Sequence, residues 1–500
     1  MPHEQHDASL SGARPASGDG APHLRRVLGT WDLALLCVVA VANLNLVPVV
    51  AAGGAPMVWF WLLALAFFFW PQGIAVIEFS RRYPGEGGIY LWSKERFGPL
   101  HGFLAGWCYW TNNIFYIPTL LLYLVGIAVY IGGPRYVALG QSKGFVFTVA
   151  ILLLTALVAL NVRGLGLGKW VNNAGAVGTA VAAAALGGLA FLVLSRHGST
   201  LAASEFRFTG GDWSVVNTFG VICFGLVGLE LGSVMGDEIR DPGRTVPRGV
   251  LWGGIASGLL YVGATLAVLL ALPRTQIGAV QGILQAVTSM AESVEIGWLV
   301  PPVALVLTVS IAGIASAWLS GSARIPFVAG LDSYLPEQLG RLHPRYGTPY
   351  VALITQSMLS GLFVAMSFLG ATVEQGYKTL LDLAVVLQLV PFLYLYAAMI
   401  DLARRPQDGL GRYSKGMLWF AGLSGVITTG IGMVVAFIPQ HEGEALWLFE
   451  TKMSLGTLFF LVLAAIFYFP SSRRKAALLA ASAGGGTTSV AEFPGPGGQL

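Results

Sequence analysis

Asn217-Thr-Phe-Gly-Val-Ile-Cys-Phe224-Gly225-Leu-Val-Gly228-Leu-Glu230-Leu-Gly-Ser-Val-Met-Gly-Asp-Glu-Ile-Arg240-Asp-Pro-Gly-Arg-Thr-Val-Pro-Arg248 is the stretch on which the reading of this chain turns. Its first half is apolar enough to enter a bilayer, yet Gly220, Gly225, Gly228 and Gly232 thin its helix propensity and a carboxylate, Glu230, sits among them. A charge inside a membrane segment costs roughly 2.5 kcal/mol or more even on insertion scales, so it faces protein or water and marks a pathway. Glycines loosen the backbone where polar groups must leave the helical ladder to face a ligand. The second half is charged and punctuated by proline, and a bilayer would not hold it. The stretch therefore reads as a broken transmembrane helix followed by a polar loop.

Composition sets the class around this stretch. The chain has 500 residues, of which 55% are hydrophobic and only 11% charged, against about 25% charged in soluble domains. Apolar runs that reach the roughly 20 residues needed to cross a hydrocarbon core predict about twelve spans. Their limits are 31–52, 56–78, 98–132, 145–162, 170–195, 213–235, 249–272, 296–323, 349–370, 378–402, 417–439 and 452–470. The fold class is an all-α polytopic membrane protein. Residues 1–28 and 471–500 read as disordered cytoplasmic tails, 29–402 as a ten-helix core, and 403–470 as two additional helices. Cys37, Cys108 and Cys223 all fall in apolar segments without a C-x-x-C pair, which argues against a disulfide framework or a zinc site.

Lys and Arg distribution orients the spans. Of 29 basic residues, 22 fall in the tails and loops of one side and 7 on the other. Placing the basic side in the cytoplasm puts both termini there, in a cell membrane. The first span holds Ala42-Asn43-Leu44-Asn45-Leu46-Val47-Pro48, two amides and a proline in mid-membrane. Spans one and six are thus both interrupted, and they lie five helices apart, an odd offset that gives the two units opposite orientations. Paired interruptions of this kind point to a substrate site between inverted repeats.

The residues collected so far resemble those of the amino acid–polyamine–organocation (APC) transporter superfamily, over residues 25 to 470. Gly236-Asp-Glu-Ile-Arg-Asp-Pro-Gly-Arg-Thr-Val-Pro-Arg248 is similar to its sixth-helix signature. Tyr83-Pro-Gly-Glu-Gly-Gly-Ile-Tyr-Leu-Trp92 resembles its loop between helices two and three, and Leu331-Asp-Ser-Tyr-Leu-Pro336 with Gly347-Thr-Pro349 its loop between helices eight and nine. The resemblance implies a LeuT-like fold, five-plus-five inverted helices with two extra ones, working by alternating access. It is nearest the arginine/agmatine and glutamate/GABA antiporters. By that likeness Asn113, in Trp110-Thr-Asn-Asn-Ile114, takes a substrate-contacting place. Trp318 and Phe224 take the places of aromatic gates, and Glu230 that of a glutamate. Many amino acid carriers have a Gly-Ser-Gly-type break in helix one; Asn43-Leu44-Asn45 stands there instead, so carboxylate capture by that loop does not carry over. Ala384 replaces a hydroxyl of the arginine carriers.

The expected substrate-binding set is Asn43, Leu44, Asn45, Asn113, Phe224, Gly225, Trp318 and Gln388. Glu230 is read as scaffold of the broken helix, proton relay or direct ligand, three roles left open. Asn43, Asn45 and Gln388 serve equally as interhelical hydrogen-bonding groups. Asp382, one turn inside the outer end of span ten, reads as solvated. Gly164-Leu-Gly-Leu-Gly-Lys169 lacks the strand that a phosphate-cradling loop needs, and His101, His197, His343 and His441 form no pair with the spacing of metal ligands on one helix face. With no catalytic constellation in the spans, an enzyme is not expected. The expected function is secondary active transport of a small amino acid or related amine, as exchanger or proton-coupled symporter. A polyamine carrier and a non-transporting amino acid sensor are the alternatives. No cofactor, metal or nucleic acid is implied; the partners are the small-molecule substrate and the lipid bilayer. Proton or sodium coupling and a homodimeric assembly are left open.

Overall fold

The structure is a computed structural model that describes residues 28–83, 85, 87–199, 201–207, 214–235, 239–368, 372–405, 411–438 and 446–484. Eleven helices among these are long and apolar enough to cross a membrane, and the shorter apolar helix Val216–Gly225 begins a further, interrupted crossing. The expected all-α polytopic architecture is the one observed.

Span one is made of α1 (Thr30–Val41) and α2 (Val47–Ala51), joined by a 3-10 turn at Leu44–Leu46. Asp32 opens α1 by accepting from the Gly29 N–H at 3.1 Å. Pro48 explains the break: it donates no hydrogen bond, and in an uninterrupted α-helix its ring would meet the carbonyl four residues back. Span two comprises α3 (Met57–Ala64), a π-turn at Leu65–Phe69 and α4 (Trp70–Arg82). Pro71 removes the N–H that would otherwise bond the Phe67 carbonyl. That carbonyl instead accepts from Thr428 at 3.2 Å, and the Phe68 carbonyl accepts from Tyr396 at 2.6 Å. The proline bulge is therefore docked onto spans ten and eleven.

After the short α5 (Ile89–Phe97) come α6 (Pro99–Ala128), α7 (Lys143–Val162) and α8 (Leu165–His197). Span six is α9 (Ser214–Gly225) and the single turn α10 (Leu231–Val234), with an unwound stretch between them. Then follow α11 (Pro242–Ala271), the outer helix α12 (Gly282–Ser293), α13 (Val300–Ser322), α14 (Arg324–Leu331) and α15 (Tyr350–Ser367). The chain continues with α16 (Val373–Arg404), α17 (Lys415–Val435) and α18 (Leu446–Gly484).

Burial separates the central spans from the peripheral ones. In the 18-residue apolar stretches of Thr30–Ala51 and Pro99–Gly132, 89% of residues are buried, against 28% in Lys143–Val162 and 22% in Phe449–Ala477. The broken span one and α6 thus form the centre, and α7 and α18 face lipid. The centre is held partly by close backbone approach: a Cβ added at Gly175 of α8 would lie 2.6 Å from the Cα of Gly313 on α13. Such small-residue contacts drive helix association where lipid removes the hydrophobic incentive.

Two expectations need correction. The C-terminal tail was expected to be disordered from residue 471, but α18 continues through Gly484. Arg473, Arg474, Lys475 and the following Ala and Leu residues are strong helix formers, and they extend a helix already nucleated in the membrane. Asp382 is buried, 8% exposed, not solvated, because α16 begins at Val373, so Asp382 lies more than two turns inside the helix. The expected tails at 1–27 and 485–500 lie outside the described residues.

Candidate functional site

The two breaks meet. Gly228 adopts φ +136°, a conformation that side chains disfavour, and a Cβ there would sit 2.8 Å from the Ala40 carbonyl carbon and oxygen. Only glycine lets the unwound backbone of span six lie directly on the end of α1. Tyr261, from α11, joins the two breaks. Its hydroxyl accepts from the Asn43 N–H at 2.9 Å and lies 2.6 Å from the Val41 carbonyl and 2.7 Å from the Gly225 carbonyl, which compete for its one proton. The ring stacks on Trp61 at 4.3 Å, and the Trp61 indole donates to Thr265 at 3.0 Å. Trp318, from α13, donates its indole N–H to the Ala40 carbonyl at 3.2 Å. The carbonyl ends of both half-helices, where the helix dipole is negative, are thus capped by aromatic side chains.

Glu230 is fully buried beside this junction. Its carboxylate accepts from Gln72 at 2.7 Å, from the Gly228 N–H at 2.9 Å and from the Tyr109 hydroxyl at 3.0 Å. It makes no ion pair with any described cation. One side chain therefore ties the unwound stretch to span two and to α6. Glu78, the other fully buried carboxylate of this region, is engaged elsewhere, by Arg82 at 2.7 Å and by the Arg412 N–H at 2.9 Å.

One face of α6 packs over this junction. Tyr109, Asn112, Asn113 and Tyr116 recur at helical spacing, so they form a single stripe. The Tyr116 ring packs edge-on against Phe224 at 5.0 Å and against Trp318 at 5.9 Å, and Tyr109 lies 6.2 Å from Trp318. Asn113 donates back to the Tyr109 carbonyl at 2.8 Å. Gln388, on α16, accepts from Asn112 at 2.6 Å. Asn45 lies 3.5 Å from the Tyr377 hydroxyl, which donates to the Asn45 carbonyl at 3.0 Å.

All the expected site residues are buried. Asn43, Leu44 and Asn45 form the break in span one; Phe224 and Gly225 end α9; Trp318 and Asn113 face them through Tyr109 and Tyr116. Gln388 joins this stripe through Asn112 and not through Asn113. Several amide atoms are left over: the Asn43, Asn45, Asn112 and Asn113 oxygens, the Gln72 oxygen and the Gln388 nitrogen find no partner among the described residues. Each such atom costs about 1–3 kcal/mol when buried alone. The cluster offers donors, acceptors and aromatic faces and, among the described residues, no nucleophile activated by a base. It is built to bind.

Tyr261, Gln72, Tyr109, Tyr116, Asn112 and Tyr377 were not singled out from the sequence. Gln72 had a readable signal, a polar side chain just after a mid-membrane proline. The tyrosines had none, since a single tyrosine in an apolar helix does not disclose where its hydroxyl points.

On the side of the basic loops, side chains and backbone groups tie several helices together. Asp332 accepts from Tyr90 and from Lys94, each at 2.5 Å, and its carbonyl accepts from Lys475 at 3.1 Å. Burial and the neighbouring Asp332 carboxylate push the Tyr90 hydroxyl above the ordinary tyrosine range, so it remains a donor across neutral pH. Ser80 and Ser233 bond at 2.8 Å, and the Gly87 N–H donates to the Val234 carbonyl at 3.1 Å, fixing α10 to the loop before α5.

Comparison with known proteins accounts for this architecture. The sequence profile described as amino acid permease matches residues 28–460. An uncharacterised transporter of Legionella pneumophila is 26% identical over 451 residues, covering 88% of this chain and 96% of the relative. The probable agmatine/putrescine antiporter AguD of Lactococcus lactis is 23% identical, covering 86% of this chain and 92% of the relative. The branched-chain amino acid permease BcaP of Bacillus subtilis is also 23% identical, covering 72% of this chain and 80% of the relative. With a profile match over most of its length and broken helices meeting at a buried polar cluster, the chain belongs to the amino acid permease family and is a membrane transporter, not an enzyme.

Proposed function

We propose that the chain carries a small amino acid or related amine by alternating access, as an exchanger or proton-coupled symporter, in a cell membrane with both termini cytoplasmic. Spans one to ten would be the moving core and spans eleven and twelve a flanking pair. The observation that carries the reading is the meeting of the two breaks at Tyr261, beside a set of buried amide atoms without protein partners. A substrate ammonium suits the carbonyl ends of α1 and α9 and the faces of Trp318 and Tyr116, where a cation gains about 0.5–2 kcal/mol. A second polar group suits the side-chain amides of Asn43, Asn113 and Gln388. Phe224 and Trp318 close over the substrate. Glu230 holds the unwound stretch and, without a cationic partner, is the candidate proton carrier.

The agmatine/putrescine relative favours an amine as cargo, but a diamine needs an acceptor for each end. Glu230 already accepts three hydrogen bonds, so the amino acid reading ranks first. The test is thermal unfolding of the purified protein against amino acids and polyamines, followed by uptake of each hit into liposomes with and without a proton gradient. A ligand at 100 times its Kd stabilises the folded state by about 2.7 kcal/mol. Stabilisation by an amino acid together with its accumulation supports the proposal. Stabilisation by polyamines alone replaces the cargo, and binding without uptake replaces the carrier by a sensor.

A further inference from the structure

Outside the polar cluster, a cleft of about 390 Å³ opens between span two and α11. It is lined by Gly73, Ile77, Leu229, Leu251 and Ile255, with Tyr413 also in the lining. Trp70 and Leu251 on its rim are 55% and 45% exposed, so the cleft opens outward from the bundle, toward lipid. Along α11 the lining runs from Val250 to Val262, about 18 Å at helical rise. That is close to half of a hydrocarbon core of about 30 Å, the depth of one leaflet.

The end of the cleft is cationic. Along α4, Ile77 is followed one turn later by Arg81; along α11, Leu251 is preceded one turn earlier by Arg248. Residues at this spacing share a helix face. The two helices run antiparallel, Arg81 near the end of α4 and Arg248 near the start of α11, so both arginines lie at the same end of the cleft as Tyr413. Both are exposed, and neither pairs with a carboxylate among the described residues.

We propose that this cleft binds an anionic phospholipid, one acyl chain lying along Gly73, Leu229 and Ile255 and the phosphate held by Arg81 and Arg248. An apolar, leaflet-deep slot ending in two guanidinium groups matches that molecule at both ends; arginine pairs with phosphate through two hydrogen bonds at once. The site reaches the transport machinery because Leu229 stands between Gly228 and Glu230 in the unwound stretch. A chain in the cleft supports that stretch in the arrangement seen here, and the lipid acts as a ligand of this state.

The test uses the full chain in detergent, stripped of lipid by extensive washing. Its unfolding midpoint is measured with phosphatidylglycerol, with phosphatidylcholine of the same chains, and with glycerol phosphate. Phosphatidylglycerol is expected to raise the midpoint by about 3 °C or more beyond phosphatidylcholine, and glycerol phosphate to leave it unchanged. The double variant Arg81→Gln/Arg248→Gln is expected to lose the preference for phosphatidylglycerol, and Arg81→Lys/Arg248→Lys to keep most of it. Gly73→Leu, whose added Cβ meets Val250 and Leu229 only at ordinary distances of 3.5 and 3.7 Å, fills the cleft and is expected to abolish the response to both lipids. Equal shifts with the two lipids overturn the proposal, as does a preference that survives the glutamine pair and Gly73→Leu. A shift with glycerol phosphate reassigns the arginines to a free anion. A dimer that Gly73→Leu dissociates, with no headgroup preference, makes the cleft a protein interface.

Discussion

Tyr261 has one proton for two carbonyls and a lone pair for one amide, and all three partners belong to the broken helices. Removing the hydroxyl uncaps the Val41 and Gly225 carbonyls and the Asn43 N–H together. A buried polar group left unpaired costs about 1–3 kcal/mol. Tyr261→Phe keeps the stack on Trp61, so it should destabilise the protein within that range while leaving secondary structure unchanged. It should also reduce uptake of the identified substrate by tenfold or more, roughly the rate equivalent of 1.4 kcal/mol. A fully active, equally stable variant would show that the hydroxyl is incidental. Glu230→Gln asks a different question at the same scale. Glutamine keeps one acceptor oxygen but turns the other site into a donor, which then faces donors from Gln72 and Gly228 or from Tyr109. Loss of stability by about 1–3 kcal/mol is expected on scaffold grounds alone. If Glu230 also carries the proton, residual transport should no longer respond to a pH gradient, whereas exchange at equal pH should persist. Flux measured in both modes separates the two roles.

At the scale of elements, the decisive contact is the unwound part of span six lying on the end of α1. Gly228 makes it possible by conformation and by size. Gly228→Ala asks an L-residue to hold φ +136° and places a Cβ 2.8 Å from Ala40 backbone atoms that cannot move aside. Strain and overpacking each cost roughly 1–3 kcal/mol, so this substitution should be among the most damaging in the chain, read as a lowered unfolding midpoint and lost transport. Alanine at Gly187, where an added Cβ meets nothing within 4 Å, is the matched control and should be silent. The interruption itself was legible in the sequence, because Asn43, Asn45, Pro48 and Glu230 are residues that an intact lipid-spanning helix does not carry without reason. What holds the halves together was not legible. Tyr261 and Trp61 look like ordinary apolar-span aromatics until the fold brings residues two hundred positions apart into contact. Pro71 was visible, but not that its orphaned carbonyls would be taken up by Thr428 and Tyr396. Asp382 was misread for a simpler reason: the start of α16 lay several residues earlier than hydropathy suggested, and depth in a helix depends on where counting begins.

For the whole molecule, the question is which side is held closed, and by what. The aromatic contacts of Phe224, Tyr116 and Trp318 are apolar and can part without leaving a buried charge. The ties on the basic-loop side are charged and hydrogen-bonded: Asp332 gathers Tyr90 from α5, Lys94 from the same helix and, through its carbonyl, Lys475 from α18. Lys475 also lies 4.9 Å over the ring of Tyr334, which stacks on Tyr468 at 5.2 Å. One aspartate therefore joins the loop after α14, the helix before α6 and the C-terminal helix, so opening this side has to release all three. Alternating access needs such a latch to be weak enough to open, and its groups are only partly buried: the Lys94 and Asp332 side chains retain 26% and 23% of their exposure. A pair in that setting is worth about 1 kcal/mol or less, and with the Tyr90 bond the latch amounts to about 1–2 kcal/mol. Asp332→Asn removes the charge, keeps the size and leaves the main-chain carbonyl to Lys475. It should shift the equilibrium toward opening on this side by up to about 5-fold, the population equivalent of losing the ion pair while the amide oxygen still accepts from Tyr90. Cys108 reports the shift. It is fully buried on α6, one turn before Asn112 of the polar stripe. With Cys37 and Cys223 replaced by alanine, alkylation of Cys108 should accelerate by that factor in Asp332→Asn, and adding the transported substrate should slow it again by closing the site. An unchanged alkylation rate would place the latch elsewhere, because a tie that limits opening cannot be cut without raising access to the buried stripe of α6.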